Sequence, residues 1–354
     1  MKFSSWRSMQ IGAAYVGAVI GAGFASGQEI VQFFLVFGVQ GIWGLAFIGA
    51  AFAVFGTAVL FLIEKYNVET YQEMINLLFG KRIGWLFDVW ITLFLFAGLC
   101  VMLAGGTAIF VEHLNLPGVW GLGITAGGVA AGIIGQGKGI MRINSLLMPF
   151  LLLASVGVGL TAVFYGGSPI NPHITPPVSA GKLVGGNWLT AAVLYVSYNM
   201  IIGMVILSSL GKRVVAGNAA GGALGGMFLG AVALIIGLGL LSFPDAFFYE
   251  IPMIYVAGRT HPLLKLYYVF VLWLALLTTA IADGYGLAKR VSQAAGWNGQ
   301  LVGLVILIAA LPFAPIGFTN MVATFYPLFG YAGLPILAAI IARLGMGAFN
   351  RKSF

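Results

Sequence analysis

The chain has 354 residues, of which 60% are hydrophobic and 7% are charged. Soluble domains carry about 25% charged residues, so this composition excludes a soluble globular protein. The formal charge of +8 does not indicate nucleic-acid binding, because the basic residues lie in small groups between long apolar stretches. The single cysteine, Cys100, excludes a disulfide framework and a thiolate metal site. We therefore expect a protein embedded in the lipid bilayer.

Apolar stretches long enough to cross a bilayer recur along the chain. A span needs about 20 predominantly apolar residues, and this criterion predicts ten transmembrane helices and an all-α membrane protein. Their approximate bounds are 8–37, 41–63, 84–111, 118–135, 143–165, 187–209, 219–242, 262–288, 298–313 and 319–344. The first stretch is long and carries Gln28 and Glu29, so we expect no cleavable signal peptide.

The distribution of Lys and Arg predicts the orientation. If both termini are cytoplasmic, the predicted cytoplasmic segments hold fourteen of the 17 basic residues, and only Lys182, Arg259 and Lys265 lie outside. Lys and Arg are enriched in cytoplasmic connections. The sequence therefore predicts a multi-pass protein of the cell membrane with both termini in the cytoplasm.

Two connections of similar length lie five spans apart. Residues 64–83 follow the second span and residues 243–261 follow the seventh, and both connections are amphipathic. Because five crossings separate them, they lie on opposite faces of the membrane, as an inverted-topology repeat requires. A chance match is the alternative. We predict a single transmembrane domain, 1–354, with one repeat of five spans over about 8–165 and a second over about 187–344.

The first and sixth spans are equivalent in such a repeat, and both contain unusual residues near their centres. The first reads GAGFASGQE over 21–29, and the sixth has two tyrosines, a serine and an asparagine over 195–199. Interrupted helices at equivalent positions mark the midplane site of secondary transporters. We therefore predict that both helices are discontinuous. Close packing of small residues is the alternative, but it does not account for Glu29 or Asn199.

Two acidic residues, Glu29 and Asp283, are predicted to lie well inside spans. An ionisable group at this depth must face protein or a water-filled cavity. For Asp283 we expect an ion pair with Lys289 or Arg290, and a direct role in transport is the alternative. Three roles remain open for Glu29: a proton-coupling site, a ligand for a substrate amine or a second cation, or a cap of the half-helix.

The eighth span carries two adjacent hydroxyl side chains, Thr278 and Thr279. Threonines in membrane helices often bond their own backbone carbonyls, so the pair alone is a weak signal. An interrupted first span would add free backbone carbonyls, which coordinate sodium in transporters. Together the two features indicate a cation site between the first and eighth spans.

Two short segments resemble known transporter motifs. The segment 17–23, GAVIGAG, resembles the first-span motif of sodium-coupled transporters with the LeuT fold, and the segment 277–282, LTTAIA, resembles their eighth-span sodium-binding segment. Over its ten-span core, with the motif GAGFASGQE, the chain resembles the YkvI-type bacterial membrane proteins. These are similar to the transporters of the amino acid-polyamine-organocation superfamily.

The resemblance implies a sodium site and a substrate pocket. The implied sodium ligands are the carbonyls of Gly17, Ile20 and Ala275 and the hydroxyls of Thr278 and Thr279. The implied pocket comprises Gly21, Ala22, Gly23, Ser26, Glu29, Tyr195, Ser197 and Asn199, with aromatic gating by Phe24 or Tyr198. An ionised Glu29 in this pocket would repel a substrate carboxylate.

These observations predict a secondary active transporter and not an enzyme. We expect it to bind a small amino acid or amine and to couple its movement to sodium by alternating access. A proton-coupled transporter that uses Glu29 and a ligand sensor that keeps the transporter fold are the alternatives. The sequence shows neither a nucleophile–base motif nor a Walker motif for ATP. We expect no cofactor besides the coupling ion, which is sodium or, in the alternative, a proton, and no oligomeric state is predicted.

Overall fold

The computed structural model describes residues 2–136, 139–166, 183–211, 214 and 219–349, and these residues form helices joined by short connections. The α-helices are α1 (Lys2–Val19), α2 (Ala22–Ser26), α3 (Gln28–Phe33), α4 (Gly41–Tyr66), α5 (Tyr71–Phe79), α6 (Gly84–Ala108), α7 (Gly118–Ile134), α8 (Ile140–Tyr165), α9 (Trp188–Ser209), α10 (Ala220–Leu241), α11 (Pro252–Thr260), α12 (Pro262–Ala295), α13 (Gly299–Ala310) and α14 (Phe318–Phe349). Short 3-10 segments cover Leu35–Gln40, Pro244–Phe248 and Leu311–Ile316, and a π segment covers Ile109–His113.

By length and composition, eight helical segments among the described residues are able to cross a membrane. They are Leu35–Tyr66, Gly84–His113, Leu146–Tyr165, Trp188–Ser209, Ala220–Leu241, Pro262–Ala295, Gly299–Ile316 and Phe318–Gly345. They correspond to every predicted span except the first, which is divided among three helices, and the fourth, which forms the shorter helix α7 of 17 residues. The predicted multi-pass membrane protein is confirmed, whereas the total of ten crossings stays a prediction.

The predicted interruption of the first span is confirmed. Helix α1 ends at Val19, Gly21 adopts an extended backbone conformation, and Gly27 between α2 and α3 is left-handed with φ of 82°. Glycine adopts such a positive φ without a steric penalty. The hydroxyl of Ser26 donates to the carbonyl of Gly23 at 2.5 Å and accepts the backbone N–H of Gln28 at 3.1 Å. The motif GAGFASGQE therefore supplies both the break and the hydrogen bonds that stabilise it.

The predicted interruption of the sixth span is wrong, because α9 is one continuous helix from Trp188 to Ser209. Its polar side chains find partners without opening the helix. Asn199 donates its Nδ2 hydrogen to the carbonyl of Tyr195 at 3.0 Å, and the hydroxyl of Ser197 donates to the carbonyl of Gly330 in α14 at 2.7 Å. A buried polar group requires a hydrogen-bond partner, and here helix carbonyls provide it. The polar cluster therefore marks the protein-facing side of α9.

The two amphipathic connections each form a helix of nine residues, α5 and α11. Thr70 caps α5 by accepting the N–H of Glu73 at 3.2 Å, and Pro252 begins α11, where its missing N–H has no cost. Helices of equal length in the two connections agree with the inverted repeat. The repeat boundaries 8–165 and 187–344 stay a prediction.

Helices α4 and α10 pack with their backbones in close contact beside the interrupted span. A methyl group at Gly230 would overlap with the backbone of Gly49, and one at Gly222 would overlap with that of Gly56. Small residues permit such an approach in membrane helices. Two turns further along α10, Gly237 leaves room for the side chain of Leu45 in α4, and the side chain of Ile30 in α3 lies beside it. The paired helices therefore form one wall behind the break.

Candidate functional site

The interrupted span lies against α8 and α12 through a chain of hydroxyl groups. Tyr268 of α12 donates to the carbonyl of Ala25 in α2 at 2.7 Å, and its hydroxyl oxygen lies 2.8 Å from that of Ser155 in α8. All three residues are buried. The short helix α2 is therefore fixed to two spans on one side of the break.

Glu29 connects the interrupted span to α9. The residue is 5% exposed and lies in the first turn of α3. Its Oε2 atom accepts hydrogen bonds from the hydroxyl of Tyr195, at 3.2 Å, and from the hydroxyl of Tyr198. Two hydroxyl donors on one oxygen are typical of a carboxylate. The structure thus joins the two polar motifs that the sequence placed 166 and 169 residues apart.

The other carboxylate oxygen of Glu29, Oε1, lies beside Gly23. A methyl group at Gly23 would overlap with this oxygen and would lie 3.2 Å from the hydroxyl oxygen of Tyr326 in α14. The absence of a side chain at Gly23 therefore makes room for the carboxylate. Tyr326, for which the sequence indicated no role, lies next to Glu29 on the same side of Gly23.

Aromatic rings pack around the two tyrosines that bind the Glu29 carboxylate. The ring centroid of Phe33 lies 5.2 Å from that of Tyr195 and 5.8 Å from that of Tyr198. The centroid of Tyr326 lies 5.1 Å from that of Tyr198, and the centroid of Phe34 lies 5.1 Å from that of Tyr195. All five rings are buried. We call these five residues, together with Glu29 and Gly23, the Glu29 pocket.

The role of Glu29 as a cap of the half-helix is wrong. The position before α3 is Gly27, no side chain caps this helix, and the hydroxyl of Ser26 takes the N–H of Gln28. The Glu29 carboxylate is hydrogen-bonded to tyrosine hydroxyls and not to backbone amides. Two of the three roles considered for this residue therefore remain, proton coupling and binding of a cation or amine.

The other predicted pocket residues lie in different environments. Ala22 and Phe24 are each 1% exposed and pack inside the protein, whereas Gly21 is half-buried and a methyl group there would meet no atom within 4 Å. Ser197 and Asn199 bond to helix carbonyls, as described above, and Ser26 stabilises the break. Of the predicted pocket, the structure therefore brings Gly23, Glu29, Tyr195 and Tyr198 together.

The end of α1 carries two backbone carbonyls that suit a cation. In the part of the chain that the structure describes, no backbone N–H donates to the carbonyl of Gly17 or of Ile20, although the N–H of Ile20 still reaches Val16 at 2.8 Å. A methyl group at Gly17 would meet no atom within 4 Å. Free carbonyls at an interrupted helix are sodium ligands in transporters. These two predicted ligands therefore fit such a role.

The predicted ligands of the eighth span lie on α12. The hydroxyl of Thr278 donates to the carbonyl of Ala275 at 3.1 Å and to the Oδ1 atom of Asn144 in α8 at 3.3 Å, and Thr279 beside it is half-buried. The bond to Ala275 is the local bond that helical threonines commonly form. A donating hydroxyl keeps its oxygen lone pairs, so Thr278 is still able to bind a cation. The Oδ1 atom of Asn144 is a further oxygen beside Thr278 that the sequence did not indicate.

The ion pair expected for Asp283 is wrong. Arg290 donates to the hydroxyl of Tyr71 in α5 at 2.9 Å and lies over its ring. Among the described residues, neither Arg290 nor Lys289 pairs with Asp283. Its carboxylate instead lies beside Gly98 of α6, where a side chain would overlap with it, and within electrostatic range of Tyr326.

Solved structures of membrane transporters share the fold. The chain is similar to Mhp1 in an inward-facing conformation, with a TM-score of 0.66, 14% identity, and coverage of 92% of this chain and 73% of that chain. It is also similar to a manganese transporter of Eremococcus coleocola, with a TM-score of 0.55, 14% identity, and coverage of 94% and 78%. These similarities confirm the predicted all-α, LeuT-like fold.

Two relatives match the chain over almost its full length, whereas no protein-family model matches it. The protein YyaD of Bacillus subtilis (strain 168) is 27% identical over 340 residues, which cover 95% of this chain and 97% of the relative. The membrane protein YkvI of the same organism is 30% identical over 351 residues, which cover 97% and 98%. The chain therefore belongs to the family of the membrane protein YkvI.

Proposed function

We propose that this protein is a secondary active transporter that binds a small solute in the Glu29 pocket and moves it by alternating access. The observation that carries the proposal is the interrupted first span, whose break places the buried Glu29 against Tyr195 and Tyr198 of α9. Similarity to Mhp1, described as a nucleobase-cation-symport-1 family transporter, and to a manganese transporter supports a transporter over an enzyme. The positive-inside distribution supports the cell membrane with cytoplasmic termini.

The proposal includes sodium as the coupling ion. Its support is the set of oxygen atoms on two helices: the free carbonyls of Gly17 and Ile20 at the end of α1, and the hydroxyl of Thr278 with the carbonyl of Ala275 on α12. Sodium bound at an interruption of the first span would stabilise the helix end that also positions the solute. Coupling of this kind requires only that both ligands favour the same conformation.

The solute in this proposal is a small amino acid or amine. Proton coupling through Glu29 is the second candidate, and it is favoured by the absence of an ion-pair partner for this buried carboxylate among the described residues. One variant distinguishes sodium coupling from proton coupling. If protons drive uptake, Glu29→Gln permits exchange of solute but prevents accumulation driven by a pH gradient.

Counterflow in sealed proteoliposomes tests the proposal. Vesicles are loaded with an unlabelled amino acid or amine that raises the melting temperature of the purified protein, and entry of the same labelled compound is followed. A transporter accumulates label transiently inside the vesicles, and we expect this result to require sodium. A protein that binds the compound but exchanges none is a sensor, which contradicts the proposal.

A further inference from the structure

The Glu29 pocket lacks a positive charge. Among the described residues, no Lys, Arg or His forms an ion pair with Glu29, and its two donors, Tyr195 and Tyr198, both bind the Oε2 atom. The Oε1 atom faces Gly23 and the hydroxyl of Tyr326. Burying a carboxylate without a cationic partner is unfavourable. A cationic group beside Oε1 would remove this cost.

The helices that follow the break are too short to attract a carboxylate. Helix α2 has five residues and helix α3 has six, and the left-handed Gly27 separates them. A helix dipole arises from many aligned peptide units, so two fragments of little more than one turn supply a weak field. A zwitterionic amino acid would therefore find no strong partner for its carboxylate here and would be repelled by Glu29.

The rings of the Glu29 pocket favour a cation as well. Phe33, Tyr195, Tyr198 and Tyr326 lie with neighbouring centroids 5.1 to 5.8 Å apart around one carboxylate. The face of an aromatic ring attracts ammonium groups, most strongly where the contact is shielded from water. Carboxylate and rings thus select the same sign of charge.

We propose that the Glu29 pocket binds the ammonium group of an amine or organic cation, and that the solute of this protein is therefore a cation and not a zwitterionic amino acid. The inference rests on the proposed function in one respect, that this pocket is the solute site. Tyr195 and Tyr198 hold the carboxylate through Oε2, which leaves Oε1 for the ammonium group. Oε1 lies beside Gly23, where a side chain would overlap with it, so the absence of a side chain there allows this position of the carboxylate.

Pairs of compounds that differ in charge alone test the inference. The melting temperature of the full-length protein in detergent is measured with choline and with its neutral carbon isostere 3,3-dimethyl-1-butanol, and with butylammonium and benzylammonium beside the matching alcohols. Glycine betaine and the neutral amino acids serve as zwitterionic probes. We expect at least one cation to raise the melting temperature while its neutral partner and the zwitterions do not. Stabilisation by zwitterions alone, or by no cation, overturns the inference.

Three variants locate the effect. Glu29→Gln keeps an oxygen acceptor for the tyrosines but removes the charge, and we expect the cation to bind at least about tenfold more weakly. Gly23→Ala keeps the charge but displaces Oε1, so it should weaken the cation similarly even if Glu29→Gln folds poorly. Glu64→Gln removes an acidic residue near the end of α4, outside the Glu29 pocket, and should leave cation affinity unchanged. Undiminished affinity in both pocket variants contradicts the assignment.

Binding and exchange separate this inference from the proposed function. A cation that binds in a Glu29-dependent manner but is not exchanged across proteoliposomes supports the cationic site and contradicts the transporter. Exchange of an amino acid by a protein that binds no cation supports the transporter and overturns the inference.

Discussion

Both carboxylate oxygens of Glu112 accept the backbone N–H of Glu250, each at 2.9 Å. Glu112 belongs to the π segment after α6, and Glu250 lies just before α11. The carboxylate of Glu250 in turn accepts the N–H of Phe318, the first residue of α14, at 2.6 Å. Two glutamates therefore connect α11 to two neighbouring spans on the face that the sequence predicts to be extracellular.

Removing the first of these connections should loosen the start of α11. In Glu112→Gln, the charged acceptor of the N–H of Glu250 becomes neutral, and hydrogen bonds to charged groups contribute about 1.5–3 kcal/mol. We expect faster amide hydrogen exchange in the peptide that covers 249–257, measured by mass spectrometry. Glu64→Gln, near the end of α4 and outside this connection, is the control and should change this exchange little. Identical protection in Glu112→Gln and the wild type would contradict the connection.

Glu250 should make stability depend on pH. Burial raises the pKa of Glu250 above its ordinary value, and the hydrogen bond from Phe318 offsets part of the rise. The unfolded chain then releases this proton at a lower pH than the folded protein does, so stability decreases as pH rises from the unfolded pKa, about 4.3, through the folded pKa.

The measurement for Glu250 is the melting temperature against pH for the wild type and Glu250→Gln. We expect the melting temperature of the wild type to fall relative to that of Glu250→Gln as pH rises through this window. A difference that is independent of pH, or that favours the wild type with rising pH, contradicts the prediction.

Two glycines of the break should differ in their tolerance of the same substitution. Gly27→Ala places a side chain at a φ of 82° and only 2.8 Å from the Cγ atom of Met253. A left-handed conformation costs a residue with a side chain about 1–2 kcal/mol, so we expect a lower melting temperature. Gly21→Ala, at an extended position with open space, should be neutral. Equal tolerance of both variants would mean that Gly27 does not shape the break.

The proposed sodium site is tested by removing the two threonine hydroxyls. In the double variant Thr278→Val and Thr279→Val, both side-chain oxygens are lost while side-chain volume is nearly unchanged. We expect sodium to stop raising the melting temperature, whereas Thr125→Val, a buried threonine of α7, should keep the response. A sodium effect that survives the double variant would remove the coupling ion from the first and eighth spans.

The break of the first span was predictable because its causes are local. Gly27 supplies the left-handed backbone and Ser26 bonds to both sides of it, all within nine residues of sequence. Whether α9 is continuous or interrupted depends instead on hydrogen-bond partners that are distant in sequence. The acceptor for Ser197 is Gly330, 133 residues away, and no pattern in 195–199 reveals that a continuous helix satisfies these side chains. With one interruption present and not two, free backbone groups come from the first span, and α9 contributes side chains.

Two further residues show that contacts with distant parts of the chain could not be predicted from the sequence. Tyr326 is one aromatic residue among many in an apolar span, so only the packing of α14 against the break reveals its place beside Glu29. Arg290 was expected to pair with Asp283 because the two lie close in sequence, but its partner Tyr71 is 219 residues away. The short distance along the chain between Arg290 and Asp283 therefore predicted the wrong partner, because Tyr71 of α5 accepts the hydrogen bond from the guanidinium group.

Thiol labelling at the break tests most directly whether the interrupted first span lines a solute pathway. In a Cys100→Ala background, Gly21→Cys introduces a thiol at a half-buried position with open space around it, and Ala22→Cys introduces one at a neighbouring position that is 1% exposed. We expect a water-soluble methanethiosulfonate reagent to modify the first thiol in membranes, to leave the second unmodified, and to react more slowly when a bound solute is present. A Gly21→Cys protein that resists the reagent, or reacts at a rate no ligand changes, would contradict the account.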